Sequence, residues 1–155
     1  MIKILMVCEA FGGGVFAYLA ELCNDICDQF DVYLAYSVRS QTPKNFKKLL
    51  DSRIHLISVK NFGPLSNPFK DLLCIRELKR IAKKVNPDII HLHSSIAGGF
   101  GRIAFNAKKY KIIYTPHGYA HILLGPGKKS KIYECIEKKL GKKDCLTLTC
   151  CESEE

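Results

Sequence analysis

Long apolar runs are missing from this sequence, and with them the helical membrane proteins. No stretch approaches the roughly 18 apolar residues needed to cross a bilayer. The start, MIKILMVCEAF, has neither the basic first region nor the cleavage site of a secretory leader, so a cytoplasmic protein is expected. Also missing is any C-x-x-C pair or zinc-ligand spacing. The eight cysteines are scattered among apolar neighbours, and most read as buried reduced thiols rather than as a disulfide or metal framework. There is no internal repeat and no low-complexity linker. What is left is an ordinary globular composition, 47% hydrophobic and 25% charged over 155 residues, about one domain.

A balance of charge is missing from the second half. Residues 76–155 carry 16 Lys+Arg against 8 Asp+Glu, whereas residues 1–75 carry 8 against 7. Such an imbalance implies an anionic partner: a phosphate-bearing substrate, an acidic membrane surface or a nucleic acid. Nucleic acid is not expected, because the lysines lack interleaved aromatics and no helix-turn-helix pattern occurs.

Strand-length apolar runs alternate with segments of helical period, the pattern of βαβ units. Strands are expected at 3–8, 32–37, 54–59, 88–93, 111–116 and 145–150, and their near-continuous apolar character predicts helices on both faces. The fold class is therefore α/β: a single Rossmann-like, doubly wound domain with a mainly parallel sheet of about six strands. One helix is expected over residues 14–29. A second opens at SNPFKDLL, with Asn67 as N-cap and Pro68 in the first turn, and stops before NPD. Shorter helices fit SIAGGFGRIAFNAKK and GKKSKIYECIEKKLGKK, and a loop with a short helix near 46–50 fits the mixed region between.

Three places carry candidate chemistry. Gly12, Gly13 and Gly14 follow the first strand and satisfy G-x-G-x-x-G/A with Ala17, the pattern that brings a diphosphate against a helix N-terminus. A nicotinamide or flavin site is disfavoured. Glu9, Ala10 and Phe11 separate the expected strand from the glycines, and the second strand ends LAYSVR with no acid for a ribose hydroxyl; only Arg39 there could meet a 2′-phosphate. A turn needing positive φ alone would use one or two glycines, so three suggest bare backbone facing a phosphate or a sugar ring. His91 and His93, two apart on a strand, share a face, but no further metal-spaced ligands accompany them, and a hydrogen-bonded core role is expected. Ser94 and Ser95 cap the next helix, whose Gly98, Gly99 and Gly101 allow close packing on the sheet. His117 and Gly118 sit at the C-terminal tip of the fifth strand, where open α/β sheets place ligands. GPGKKS lacks the first glycine and the Ser/Thr of a Walker A loop, so nucleotide triphosphate hydrolysis is not expected. In the last helix, Ile132, Cys135, Ile136 and Leu140 share one face, read as packing on the sheet, with lysines covering the rest; the alternative is a helix that also rests on anionic lipid headgroups.

KILMVCEAFGGGVFAYLAEL, PDIIHLHSSIAGGFGRIA, IIYTPHGY and the C-x-S-E end resemble, in order and spacing, the N-terminal domain of family-4 retaining glycosyltransferases of the GT-B type, above all those of bacterial capsule, exopolysaccharide and lipopolysaccharide synthesis. The resemblance covers essentially the whole chain. It implies the acceptor-side lobe of a two-lobed enzyme that moves a hexosyl unit from a nucleotide diphosphate sugar to a glycan or lipid-linked acceptor. By the same resemblance His117 is the catalytic-site residue contacting the transferred sugar, and Gly12, Gly13, Gly14, Ser94, Ser95 and Tyr119 line the substrate side. No metal and no cofactor are implied, since basic groups and helix N-termini stabilise the departing diphosphate. The donor lobe has no counterpart before Glu155, so a chain inactive alone, or one completed by a donor-lobe polypeptide in trans, is expected. The basic second half fits peripheral contact with the inner face of the plasma membrane. The alternative is a stand-alone binding module for a nucleotide or anionic glycan, without catalysis.

Overall fold

The computed structural model describes residues 1–63 and 67–150, which build one six-stranded sheet with every strand parallel to its neighbours. The elements in chain order are β1 (Ile2–Phe11), α1 (Gly13–Ile26), β2 (Phe30–Val38), a single 3₁₀ turn (Phe46–Lys48), β3 (His55–Ser58), α2 (Pro68–Val85), β4 (Ile89–His93), α3 (Ser95–Ala104), β5 (Lys111–Thr115), α4 (Ala120–Leu123), α5 (Lys128–Leu140) and β6 (Leu146–Thr147). In space the strands run β3-β2-β1-β4-β5-β6. The chain winds one way from β1 and then the other way from β4, so the direction reverses between these two strands, and ligands of open α/β sheets bind outside the strand ends at such a reversal.

Alternation along β1 feeds two cores. Leu5 and Val7 join the layer under α2 and α3, with Cys74, Leu78, Ile90, Leu92, Phe100 and Tyr114. Ile4, Met6 and Cys8 join the layer under α1, with Phe16, Leu19, Cys23 and Leu34. Both faces of the central strands are thus covered, which is why their sequences read as unbroken apolar runs. In α3 the glycines permit the approach: a Cβ at Gly98 would lie 2.3 Å from the Tyr114 ring, and one at Gly101 would lie 2.4 Å from Leu92.

Most boundaries fall within two or three residues of expectation, and three departures have physical causes. β1 continues to Phe11 through an irregularity between Cys8 and Phe11, so Glu9 and Ala10 belong to the strand and the glycines follow it directly. β6 pairs over Leu146–Thr147 alone instead of six residues. α5 accordingly has little sheet to cover: of its apolar residues only Leu140 is buried, and Ile132 is 58% exposed. The helix is held by a polar anchor instead. Arg102, buried in α3, donates through Nε to the Gly98 carbonyl at 2.9 Å and through Nη2 to Glu137 at 2.6 Å, while the Tyr114 hydroxyl donates to the other Glu137 oxygen at 2.8 Å. α2 matches expectation: Asn67 Oδ1 accepts from the Phe69 and Lys70 backbone, and Asn86 ends the helix in the left-handed region before Pro87. The CESEE end, including Cys151, lies outside the described residues.

Candidate functional site

Three turns at adjacent strand ends, after β1, β4 and β5, bring the candidate residues together. Each turn contains positive φ: Gly13 at 54° after β1, Ser94 at 87° after β4, and His117 and Gly118 at 52° and 91° after β5.

In the first turn the three glycines answer to different constraints. A Cβ at Gly12 would lie 2.9–3.0 Å from Gln41, which the loop after β2 lays over the turn. Gly13 supplies the left-handed backbone. Gly14 has nothing within 4 Å of a would-be Cβ, so no protein neighbour requires its bareness. No side chain caps α1 and no acid lies in its first turn, which leaves its leading N–H groups and positive end suited to an anion. Arg39, the one group after β2 that could meet a 2′-phosphate, is held elsewhere: its guanidinium pairs with the buried Glu9 carboxylate and its Nε donates to the Glu9 carbonyl at 3.2 Å. With no acid there either, this edge does not suit a dinucleotide.

The second turn is strained. Ser94, with φ 87° and ψ 153°, occupies a region almost reserved for glycine, at a cost of about 1–3 kcal/mol. Its backbone N–H donates to the Thr115 carbonyl at 3.1 Å and its hydroxyl accepts from the Ala97 N–H at 3.3 Å, so it locks β4 to β5 while capping α3. The Ser95 hydroxyl accepts from the Ala120 N–H at 2.9 Å and joins this turn to α4, a helix without a sequence signal. Both serines lie at the edge, but these hydroxyl contacts serve the turns themselves.

His117 comes from the third turn. Its Nε2 shares a hydrogen bond of 3.0 Å with His93 Nδ1, its Nδ1 lies 3.5 Å from Cys150 Sγ, and Tyr18 of α1 meets the ring edge-on at 4.9 Å between centroids. Behind it, His93 lies 3.9 Å from His91 between ring centroids, and His91 Nε2 shares a hydrogen bond of 2.9 Å with Thr115 Oγ1. Burial, aided by the neighbouring His117, pulls His91 down to about 4, and burial pulls His93 well below its ordinary range. Both are neutral imidazoles at pH 7. His93 holds His117 through a hydrogen bond rather than charge, His91 is held in turn by Thr115, and the long sulfur contact at the other nitrogen of His117 is the one a sugar hydroxyl could replace. The Tyr119 ring is partly buried against the α2 and α3 layer, 6.4 Å from the Tyr114 ring.

All seven candidate residues thus fall on one edge, although Ser94, Ser95 and Tyr119 face inward contacts. Sequence reasoning missed Tyr18, Cys150 and the His93–His117 contact. Tyr18 stands four residues after Gly14, on the turn of α1 that follows the glycines, a spacing that could have flagged it. The His93 contact depends on the register that sets His93 beside Thr115, which no local pattern announces. Among the described residues no group of three or more His, Cys, Asp or Glu is placed to hold a metal ion, and no helix is long and apolar enough to cross a membrane.

Known proteins are similar to this chain in sequence and in fold. The profile of Glycosyltransferase Family 4 matches residues 12–154. An uncharacterised 41.2 kDa protein of the cps region of Klebsiella pneumoniae is 34% identical over 152 residues, which is 93% of this chain and 39% of that protein. Among solved structures, sucrose-phosphate synthase from Thermosynechococcus elongatus superposes with a TM-score of 0.63 at 15% identity, over 94% of this chain and 42% of the other. HepE of Anabaena, solved with UDP and glucose, superposes with a TM-score of 0.58 at 16% identity, over 96% and 44%. The chain spans less than half the length of each of these three proteins.

Proposed function

The chain belongs to glycosyltransferase family 4, with the fold of one GT-B lobe, and from that membership we propose that it is the acceptor-side lobe of a hexosyltransferase. The lobe forms one wall of a cleft in which a hexosyl unit passes from a nucleotide diphosphate sugar to a glycan or lipid-linked acceptor. A second lobe, in the same polypeptide or in another, holds the donor. The observation that carries this reading is the convergence of the glycine turn, the Ser94 turn and His117 on three neighbouring strand ends at the reversal of the sheet. Gly14 and the uncapped start of α1 face the diphosphate, and His117, held by His93, turns its Nδ1 to a sugar hydroxyl in exchange for the long Cys150 contact. HepE, solved with UDP and glucose, supports a nucleotide sugar as the donor class. The cationic excess of residues 76–155 supports work at the inner face of the plasma membrane.

Two measurements on the purified chain test the proposal. Transfer assays with nucleotide sugars are expected to give no product, and turnover by the chain alone would overturn the half-cleft reading. Titration with acceptor-type oligosaccharides, followed by the NMR signals of the His117 ring, is expected to shift that ring, with the shift lost in Gly14→Val. A His117 ring indifferent to every saccharide would overturn the assignment of this edge.

A further inference from the structure

We infer that the outward face of α2 docks this lobe on the surface of an anionic lipid bilayer. The inference rests on the peripheral location proposed above and is independent of the sugar chemistry. At 100° per residue α2 divides cleanly. Cys74, Leu78, Ala82 and Val85 form the buried face. On the opposite face the first turns present Phe69, Leu72 and Leu73, exposed by 82%, 45% and 46%. The same face continues with Arg76, Lys79, Arg80, Lys83 and Lys84, all exposed. Eight outward positions therefore hold three large apolar side chains, five cations and no acid. The two acids of the helix, Asp71 and Glu77, lie off this face, and Glu77 is turned inward, where its carboxylate accepts from the Lys60 and Asn61 backbone N–H groups at 3.1 Å.

That order, apolar first and basic after, decides the occupant. A helix of 18 residues is about 27 Å long, enough to rest flat on a bilayer with its apolar end sunk at the headgroup boundary and its cations over anionic phosphates. A nucleic acid would match the cations but leave Phe69, Leu72 and Leu73 without a counterpart. The apolar end also lies at the sheet edge that carries the three turns, since α2 starts from the loop that leaves the C-terminal end of β3. Docking there presents the cleft wall to the bilayer surface, which favours a lipid-linked acceptor over a free glycan.

Flotation of the 155-residue chain with vesicles tests this. The chain is expected to float with vesicles of phosphatidylcholine and phosphatidylglycerol, to stay behind with phosphatidylcholine alone, and to be released by high salt. Phe69→Ser with Leu72→Ser, and Arg80→Glu with Lys83→Glu, are each expected to weaken binding by about tenfold or more. Lys138→Glu with Lys139→Glu on α5 is expected to leave binding within about twofold. These side chains are exposed, so circular dichroism should show the fold intact; should either α2 pair unfold, Leu73→Gln provides the readout. Failure to float, equal binding to uncharged vesicles, α2 variants that float like the parent, or binding to duplex nucleic acid without binding to vesicles would each overturn the inference. None of these outcomes touches the response of His117 to saccharides, so the two readings fail separately.

Discussion

The first and second halves of the sheet are stabilised by different means. Around β1, α1 and β2 the holding is apolar: Phe16, Leu19 and Cys23 sink into a core of aliphatic and aromatic residues, and the one tight turn uses glycine, which takes the left-handed backbone without strain. Around β4, α3 and β5 an apolar core of Ile90, Leu92, Phe100 and Tyr114 is joined by a polar network. Of six buried polar residues among those described, five lie here: His91, His93, Ser94, Arg102 and Thr115. The turns that end these strands place Ser94 and His117 where glycine would be cheaper. Apolar packing tolerates small shifts, whereas a buried hydrogen-bond network fixes orientation and fails when one partner is removed. The half that presents side chains to the cleft is therefore the more exact and the more fragile.

Breaking the polar half at its anchor gives the largest effect. Glu137→Ala leaves Arg102 buried without its carboxylate and should cost about 3–5 kcal/mol in urea denaturation. Hydrogen exchange should then show early loss of protection over α3 and α5 while α1 keeps its own. Acid comes next. His91 titrates near its usual 6.5 in the unfolded chain and near 4 in the fold, so above pH 6.5 it is neutral in both states and contributes no pH dependence. Below that, the unfolded chain binds a proton that the fold refuses, and stability falls as the pH drops from 6.5 toward 4, by about 3 kcal/mol for this residue. His93 acts in the same direction. Denaturation midpoints across this range should fall in the parent and fall less in His91→Gln, which keeps His93, and a flat parental profile would contradict the buried neutral pair. The smallest effect is the sharpest. Ser94→Ala keeps the strained backbone and loses the cap, costing about 1 kcal/mol, whereas Ser94→Gly relieves the strain and should stabilise by about 1 kcal/mol. Changes of the same sign in both variants would show that no strain is stored there.

The apolar half was the easier to read from sequence. Unbroken runs identified the strands of both layers, the Asn67–Pro68 pair located the start of α2, and three consecutive glycines marked the first turn. Local chemistry suffices for these. The polar half resisted for the same reason that it is exact. That His93 meets His117, and that Arg102 and Tyr114 converge on Glu137, depends on pairings 24, 35 and 23 residues apart, which no window of sequence displays. The pattern of α5 misled in a related way. Its apolar residues share one face, but with β6 only two residues long there is little sheet for that face to cover. Glu9 and Ala10 looked like a loop because a strand irregularity leaves no mark in hydropathy.

The cysteines turn this contrast into something a reagent can count. Cys8, Cys23 and Cys27 lie in the layer under α1 and Cys74 in the layer under α2, while Cys135 and Cys150 are exposed. Burial holds Cys23 and Cys74 up at about 12 and Cys8 higher still, so little thiolate forms at these three until their layer opens. Among the described residues, an alkylating agent therefore takes Cys135 and Cys150 before the buried thiols, which react only at the pace of local opening. The lag of Cys74 relative to Cys23 becomes a clock that times the breathing of one layer against the other without any added label.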